Sequence, residues 1–138
     1  MFSNATKYAI RTVLHLASMK SAFPKSKVSD LAKELEIPKP FLSKILQKLA
    51  KADLVSSSKG RGGGFYLTED NLTKTLLDII LCIDGTNSIN ECILGQPTCS
   101  DENPCPLHHY YKDIKRDLLM VVSDASVDKL AADLRVNS

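Results

Sequence analysis

Cys92, Cys99 and Cys105 stand in "CILGQPTCSDENPCPLHHYY" at C-x6-C-x5-C spacing, and His108 follows the last of them by three residues. Thiolate and imidazole are soft donors, and a short loop rich in Pro, Asn, Asp and Gly can gather them on one metal site. Structural zinc usually takes paired C-x2-4-C spacings, which these longer intervals do not provide. A disulfide would be unusual in a reducing cytosol, whereas iron–sulfur ligation tolerates wider spacing, with histidine or oxygen ligands in place of cysteine tuning potential and lability. The pattern favours a metal site over chance cysteines. Redox catalysis by the same thiols is the rival reading, but no C-x-x-C motif and no nucleophile with an oriented base accompanies them. The fourth cysteine, Cys82 in "LLDIILCIDG", falls within the apolar pattern of a helix and reads as a buried core residue.

A second chemical feature is "GRGGGFYL", residues 60–67, with four glycines around Arg61. A phosphate-cradling nucleotide loop needs a strand before the glycines and a helix directly after them, closed by Lys-Ser/Thr in the P-loop form, and neither requirement is met. A β-hairpin fits better: Leu54 and Val55 lead into a strand, Gly60 to Gly64 make the turn, and Phe65 to Leu67 return. At its tip Lys59 and Arg61 supply charge that can neutralise phosphates or enter a narrow minor groove. A merely flexible turn is the plainer alternative.

The elements that would carry these features are mostly helical. Residues 4–20 hold Ala9, Ile10, Val13, Leu14, Leu16 and Ala17 at helical spacing, and a break follows around Phe23 and Pro24. "SDLAKELEI" opens with Ser29 as an N-cap and repeats Leu31, Ala32 and Leu35, a short second helix. Pro38 and Pro40 suit the turn and first positions of a third, "PFLSKILQKLAKADL", with the apolar stripe Leu42, Ile45, Leu46 and Leu49. Two short helices so joined, the second basic, form a helix-turn-helix candidate. Lys39, Ser43, Lys44, Gln47 and Lys48 lie between its buried positions; Ser43 and Gln47 suit base edges and the lysines suit phosphates, or the lysines are simply solvated. Further on, Leu107, Tyr110, Tyr111, Ile114, Leu118, Val121 and Val122 make one long stripe. Part of it is expected on helix one, and the remainder is a dimer seam or an intramolecular core face. Residues 126–136 read as a short amphipathic helix capped by Ser126.

Charge divides the 138 residues. Residues 1–67 hold 12 Lys/Arg against 4 Asp/Glu, and residues 68–138 hold 6 against 12. That segregation suggests a polyanion-binding half beside a half with another task. No apolar run reaches the ~20 residues of a membrane span, and the N-terminal stretch has no signal-peptide core, so the expectation is a soluble cytoplasmic chain.

The stretch "VSDLAKELEIPKPFLSKILQKLAKADLVSSSKGRGGGFYL", with the cysteine cluster, resembles the Rrf2 family of bacterial transcription regulators over nearly the whole chain. The resemblance rests on Ala-Lys-x-Leu-x-Ile-Pro before the third helix, Leu-Ser-Lys-Ile-Leu within it, the Gly-x-Gly-Gly-Gly wing and the three cysteines. It implies a mainly α fold with a small β-hairpin: a winged helix-turn-helix over residues 1–70, then a cluster-binding loop and dimerisation helices over 71–138. It further implies a homodimer on palindromic double-stranded DNA, with Lys39, Ser43, Lys44, Gln47, Lys48, Lys59 and Arg61 at the DNA. Ser43 stands where many relatives carry an acidic or amide residue, and Lys59 where Arg is common, which bears on the sequence read. An iron–sulfur cluster of the 2Fe-2S type is implied at Cys92, Cys99 and Cys105.

For the fourth ligand, relatives use either a partner-subunit carboxylate from the first helix or a histidine after the third cysteine. Here the first acidic residue is Asp30 and the first helix offers Lys7, a cation while protonated. If Cys105 sits at or just before the start of the long helix, His108 lies one turn on and shares its face, with His109 rotated away by about 100°. His108 is therefore the expected ligand, with His15 across the dimer or an exogenous thiol as competitors. A clusterless repressor governed by a regulatory protein partner or a small molecule is the alternative to the whole reading.

Overall fold

The computed structural model describes residues 2–19 and 25–137. The break expected around Phe23 and Pro24 lies outside them. Helix α1 spans Asn4–Met19, and α2 (Val28–Leu35) and α3 (Lys39–Lys51) form the helix-turn-helix. Strands β1 (Ser56–Ser58) and β2 (Gly64–Tyr66) make the wing, followed by α4 (Glu69–Leu72), α5 (Leu76–Asp84), α6 (Asn87–Asn90), α7 (His108–Asp124) and α8 (Val127–Asn137).

The turn between α2 and α3 follows from three residues. Glu36 takes a left-handed conformation, φ 57°, and its N–H donates to Ala32 O, which stops α2. Ile37 is buried and pins the turn. Pro38 then flanks α3 and Pro40 occupies its first turn, where a missing N–H costs nothing. Arg11 of α1 braces this corner by donating to Leu35 O at 3.1 Å. Helix α2 begins at Val28, ahead of Ser29, and carries no side-chain cap, so the expected Ser29 cap is not formed.

One core joins the helices. Leu42, Ile45, Leu46 and Leu49 of α3 recur at three- and four-residue spacing and pack with Ala9 and Val13 of α1, Leu31 of α2, Ile79 of α5, and Val127 and Ala131 of α8. Leu31, Leu42, Leu46 and Leu49 are fully buried, and each such side chain contributes about 1.5–3 kcal/mol. Cys82 is a correction to the core expectation: it is half-buried at the core's margin, with Sγ 3.5 Å from Lys48 O.

The wing is an antiparallel pair with Ser56 opposite Tyr66, Ser57 opposite Phe65 and Ser58 opposite Gly64. A third extended segment joins it. Ser26 N donates to Phe65 O at 2.9 Å and Phe65 N donates to Ser26 O at 2.8 Å. At the base of the wing Asn71 is 3% exposed: its side-chain oxygen accepts from Thr68 N and Ser56 Oγ, and its amide donates to Asp53 O. This one amide therefore ties the end of α3, the start of β1 and the cap of α4 together.

Helix α7 departs from expectation in its neighbour. Its main contact is α5 rather than α1, because the α8 face of Val127 and Ala131 already fills the groove on α1. Val122 is buried, while Leu107, Tyr110, Ile114 and Val121 remain exposed in the single chain. Ser126 accepts from Lys129 N at 3.3 Å, the expected cap of α8.

Candidate metal centre and nucleic-acid interface

The loop between α6 and α7 is built from short-range hydrogen bonds that bend it back on itself. Gly95 N donates to Cys92 O, Ser100 N to Asn103 O, and Asn103 Nδ2 to Thr98 O. His108 N then donates to Cys105 O at 3.0 Å, so the third cysteine sits in the turn that starts α7. The folding of that loop brings the Cys92, Cys99 and Cys105 sulfurs within 4.8 Å of one another. Cys92 Sγ lies 3.5 Å from Cys105 Sγ, and Cys99 Sγ lies 3.3 Å from His108 Nδ1. Two sulfurs on one tetrahedral metal are about 3.8 Å apart for metal–sulfur bonds of about 2.3 Å, so these separations suit shared ligation.

Electrostatically, Cys92 and Cys99 are driven in opposite directions. Burial opposes ionisation of Cys92, yet the backbone N–H groups of Gln96 and Leu94, with the thiols of Cys105 and Cys99, outweigh it and bring the pKa down to about 7. The Cys105 N–H, 3.4 Å from Cys99 Sγ, favours the Cys99 thiolate, but burial and the two neighbouring thiols outweigh it and hold that thiol above its ordinary value. N–H groups aimed at sulfur are among the levers by which proteins tune thiolate-bound metals. A surface depression bordered by Glu91, Cys92, Gly95, Gln96 and Cys99 opens the group to solutes.

The remaining histidines lie elsewhere. His109 packs edge-on against His108, with ring centroids 5.3 Å apart, and is exposed. His15 borders a separate cavity with Met19, Lys25, Ser26, Asp30 and Glu34. Lys7 is exposed on α1.

In the helix-turn-helix, Lys39, Lys44, Gln47 and Lys48 are exposed on α3, and Ser43 is half-buried among them. Lys59 and Arg61 are exposed at the wing tip. Sequence reasoning singled out every one of these: helical spacing was enough for the α3 residues, because its buried stripe leaves the other face to them, and the glycine-rich turn marked Lys59 and Arg61. Lys25, missed in the sequence, reaches the wing: its Nζ lies 3.3 Å from Ser58 Oγ and 5.6 Å from the Tyr66 ring centroid. Asp101 was missed as well, since an acidic residue in an acidic loop gives no signal until its partner, His108, is in place.

The family model described as an iron-dependent transcriptional regulator, Rrf2, matches residues 2–133. The chain belongs to the Rrf2 family. An HTH-type transcriptional regulator of Aquifex aeolicus is 33% identical over 120 residues, 86% of this chain and 82% of its own length. The HTH-type transcriptional regulator IscR of Vibrio vulnificus is 27% identical over 132 residues, 94% of this chain and 76% of that one. Among solved structures, CymR, the global cysteine regulator of B. subtilis, superposes with a TM-score of 0.74 at 22% identity, covering 96% of both chains. T. potens IscR gives 0.70 at 20% identity, covering 96% of this chain and 88% of the other. These likenesses establish the winged helix-turn-helix fold. Rrf2 proteins are transcription regulators of the DNA-binding helix-turn-helix class and not enzymes, which removes the thiol redox enzyme as a reading. Among the described residues of this Rrf2 regulator, no helix is long and apolar enough to cross a membrane.

Proposed function

We propose that this Rrf2 regulator binds palindromic double-stranded DNA as a homodimer in the cytoplasm. Its DNA affinity or target choice responds to an iron–sulfur cluster of the 2Fe-2S type held by Cys92, Cys99, Cys105 and His108. One observation carries the reading: three thiols within 4.8 Å of one another, with an imidazole nitrogen 3.3 Å from one of them. The donor set fits such a group, being soft, deprotonable and hydrogen-bonded at sulfur. When bound, the cluster supplies one-electron redox chemistry and sensitivity to oxidants.

The chain's own residues supply the rest. His108 is the first residue of α7, so a donor set that includes it fastens the loop to the head of that helix. Release of the donors frees the loop, and the helix that would form the dimer seam loses its anchor. In such a dimer Gln47 and Ser43 address base edges in the major groove, while Lys39, Lys44, Lys48, Lys59 and Arg61 hold phosphates, with the two α3 helices about one DNA turn (~34 Å) apart.

Anaerobic purification followed by visible spectroscopy, iron and sulfide analysis, and operator binding before and after air exposure tests the reading. The expected result is a coloured protein that contains iron and sulfide, loses them when Cys92, Cys99 or Cys105 is changed to Ser, and changes its DNA affinity in step. Colourless protein whose DNA binding ignores the cysteine substitutions would return the chain to the clusterless class.

A further inference from the structure

We infer that Asp101 is a positioning residue for the metal centre, holding the His108 ring so that Nδ1, and not Nε2, is presented as the donor atom. The inference rests on the ligand set proposed above and extends it to a side chain that no cysteine or histidine motif would select.

The two nitrogens of His108 meet different partners. Nδ1 lies 3.3 Å from Cys99 Sγ, and Nε2 lies 2.8 Å from Asp101 Oδ1. An ionised carboxylate only accepts hydrogen bonds, so the proton of the neutral ring is drawn to Nε2 and the lone pair of Nδ1 is left facing the thiols. Nε2 is the outer nitrogen and, unconstrained, the more accessible donor; the Asp101 contact occupies it. The same pairing of carboxylate, imidazole and metal is how proteins fix the tautomer and aim of ligating histidines.

Asp101 is itself held from two directions. It follows Cys99 by two residues in the loop, and Lys112 Nζ lies 3.6 Å from the oxygen that His108 engages. His108 and Lys112 are four residues apart on α7 and share a face, so one exposed carboxylate connects the loop to two successive turns of the helix. An exposed Lys–Asp pair alone contributes little to stability. The hydrogen bond to the ring is a different matter, because it selects which ring nitrogen is free.

The test uses the full chain with Asp101→Ala, Asp101→Asn, Lys112→Ala and His108→Ala. In the reduced, metal-free protein, long-range proton–nitrogen correlation of the His108 ring reads the tautomer directly. In the cluster-loaded protein, electron paramagnetic resonance and the lifetime of the visible spectrum in air read the centre. Asp101→Ala is expected to mix the tautomers and shorten the lifetime by about ten-fold or more, on the scale of the metal affinity lost when such a partner is removed. Asp101→Asn, whose amide oxygen still accepts from Nε2, is expected to keep the parent tautomer and most of the lifetime. Lys112→Ala is expected to keep the tautomer, because it removes only the ion pair. If Asp101→Ala retains the Nε2–H tautomer, or changes it without shortening the lifetime, Asp101 does not position the ligand. If His108→Ala leaves the spectra and lifetime untouched, the ligand set itself has failed, and the role of Asp101 falls with it.

Discussion

Replacing Gly64 with Ala tests whether the wing is held where the structure places it. Gly64 has φ +154°, and a Cβ there would lie 2.6 Å from Ser26 O and 2.8 Å from Ser26 C. Both atoms are backbone, so no side chain can swing aside. Relief requires the bridge between Ser26 and Phe65 to open, which sacrifices hydrogen bonds of 2.9 and 2.8 Å. Two such bonds contribute about 0.5–1.5 kcal/mol each, and an L-residue forced to this φ adds about 1–2 kcal/mol, so the variant should lose about 2–5 kcal/mol. Gly62→Ala is the internal control: φ is +76° but nothing lies within 4 Å of its Cβ position, leaving only the conformational cost of about 1–2 kcal/mol. Urea unfolding followed by far-ultraviolet circular dichroism measures both, and the midpoint of Gly64→Ala should fall well below that of Gly62→Ala. Equal midpoints would refute the argument that the approach of Ser26, rather than the turn, is what demands glycine at position 64.

The wing's charge gives a separate expectation. Lys59→Ala with Arg61→Ala removes two cations per protomer, four per dimer, and should flatten the slope of log affinity against log salt by up to about 3.6, at about 0.9 per phosphate contact; titration across a salt series with an unchanged slope would sink it. Gln47→Ala should cost about 1–3 kcal/mol of discrimination between operator and random duplex if the amide reads a base, and an equal loss on both would reassign it to the backbone. In the metal-free reduced protein, alkylation of Cys92 should climb through pH 7, because its thiol is brought down to about 7 and the thiolate is the reactive form, while Cys82, raised chiefly by burial against the pull of Lys48, lags to higher pH. Peptide mass spectrometry of pH-stepped samples checks this, and superimposable profiles count against it. Ile114→Asp, on an exposed position of α7 that is 57% accessible, should convert the proposed dimer to monomer in analytical ultracentrifugation; a persistent dimer moves the seam elsewhere.

Much of this molecule was legible before its structure. The α3 stripe of Leu42, Ile45, Leu46 and Leu49 dictated a helix with one buried side, and once that side was fixed the opposite residues had to face outward. The hairpin was legible because glycines and an arginine stand between Leu54 and Val55, which lead into β1, and Phe65 and Tyr66, which return along β2. The Ser29 cap failed since the chain enters α2 from an extended segment, with the cap position at Lys27, φ −79° and ψ 149°, two residues before the serine. Asn71 and Asp101 were invisible for a common reason. Each meets partners in a different element, Asp53 and Ser56 for the one and His108 and Lys112 of α7 for the other, and periodicity carries no information about such pairs.

Helix α7 shows how a correct pattern can still mislead. The seven apolar positions from Leu107 to Val122 were read as one stripe shared between helix one and a dimer seam or core face, yet, with Leu107 exposed just ahead of the helix, the other six divide into two sets. Tyr111, Leu118 and Val122 turn inward and line a small recess with Phe2 and Ile89, whereas Tyr110, Ile114 and Val121 are exposed. The sets are offset by one residue, about 100° of helix rotation, so both are helical stripes and neither is an error of spacing. What decides between one stripe and two is the partner. Within the chain α7 packs chiefly on α5, α8 having taken the place on α1 that α7 was expected to fill, and the outer set stays exposed. The outer set then has the composition of a core face without a core, which is the physical basis for placing a second copy there. His108 opens the same helix. A rod of 17 residues, about 26 Å long, thus begins at the proposed ligand and carries the proposed seam, so that whatever fixes its first turn also fixes the direction in which the seam points.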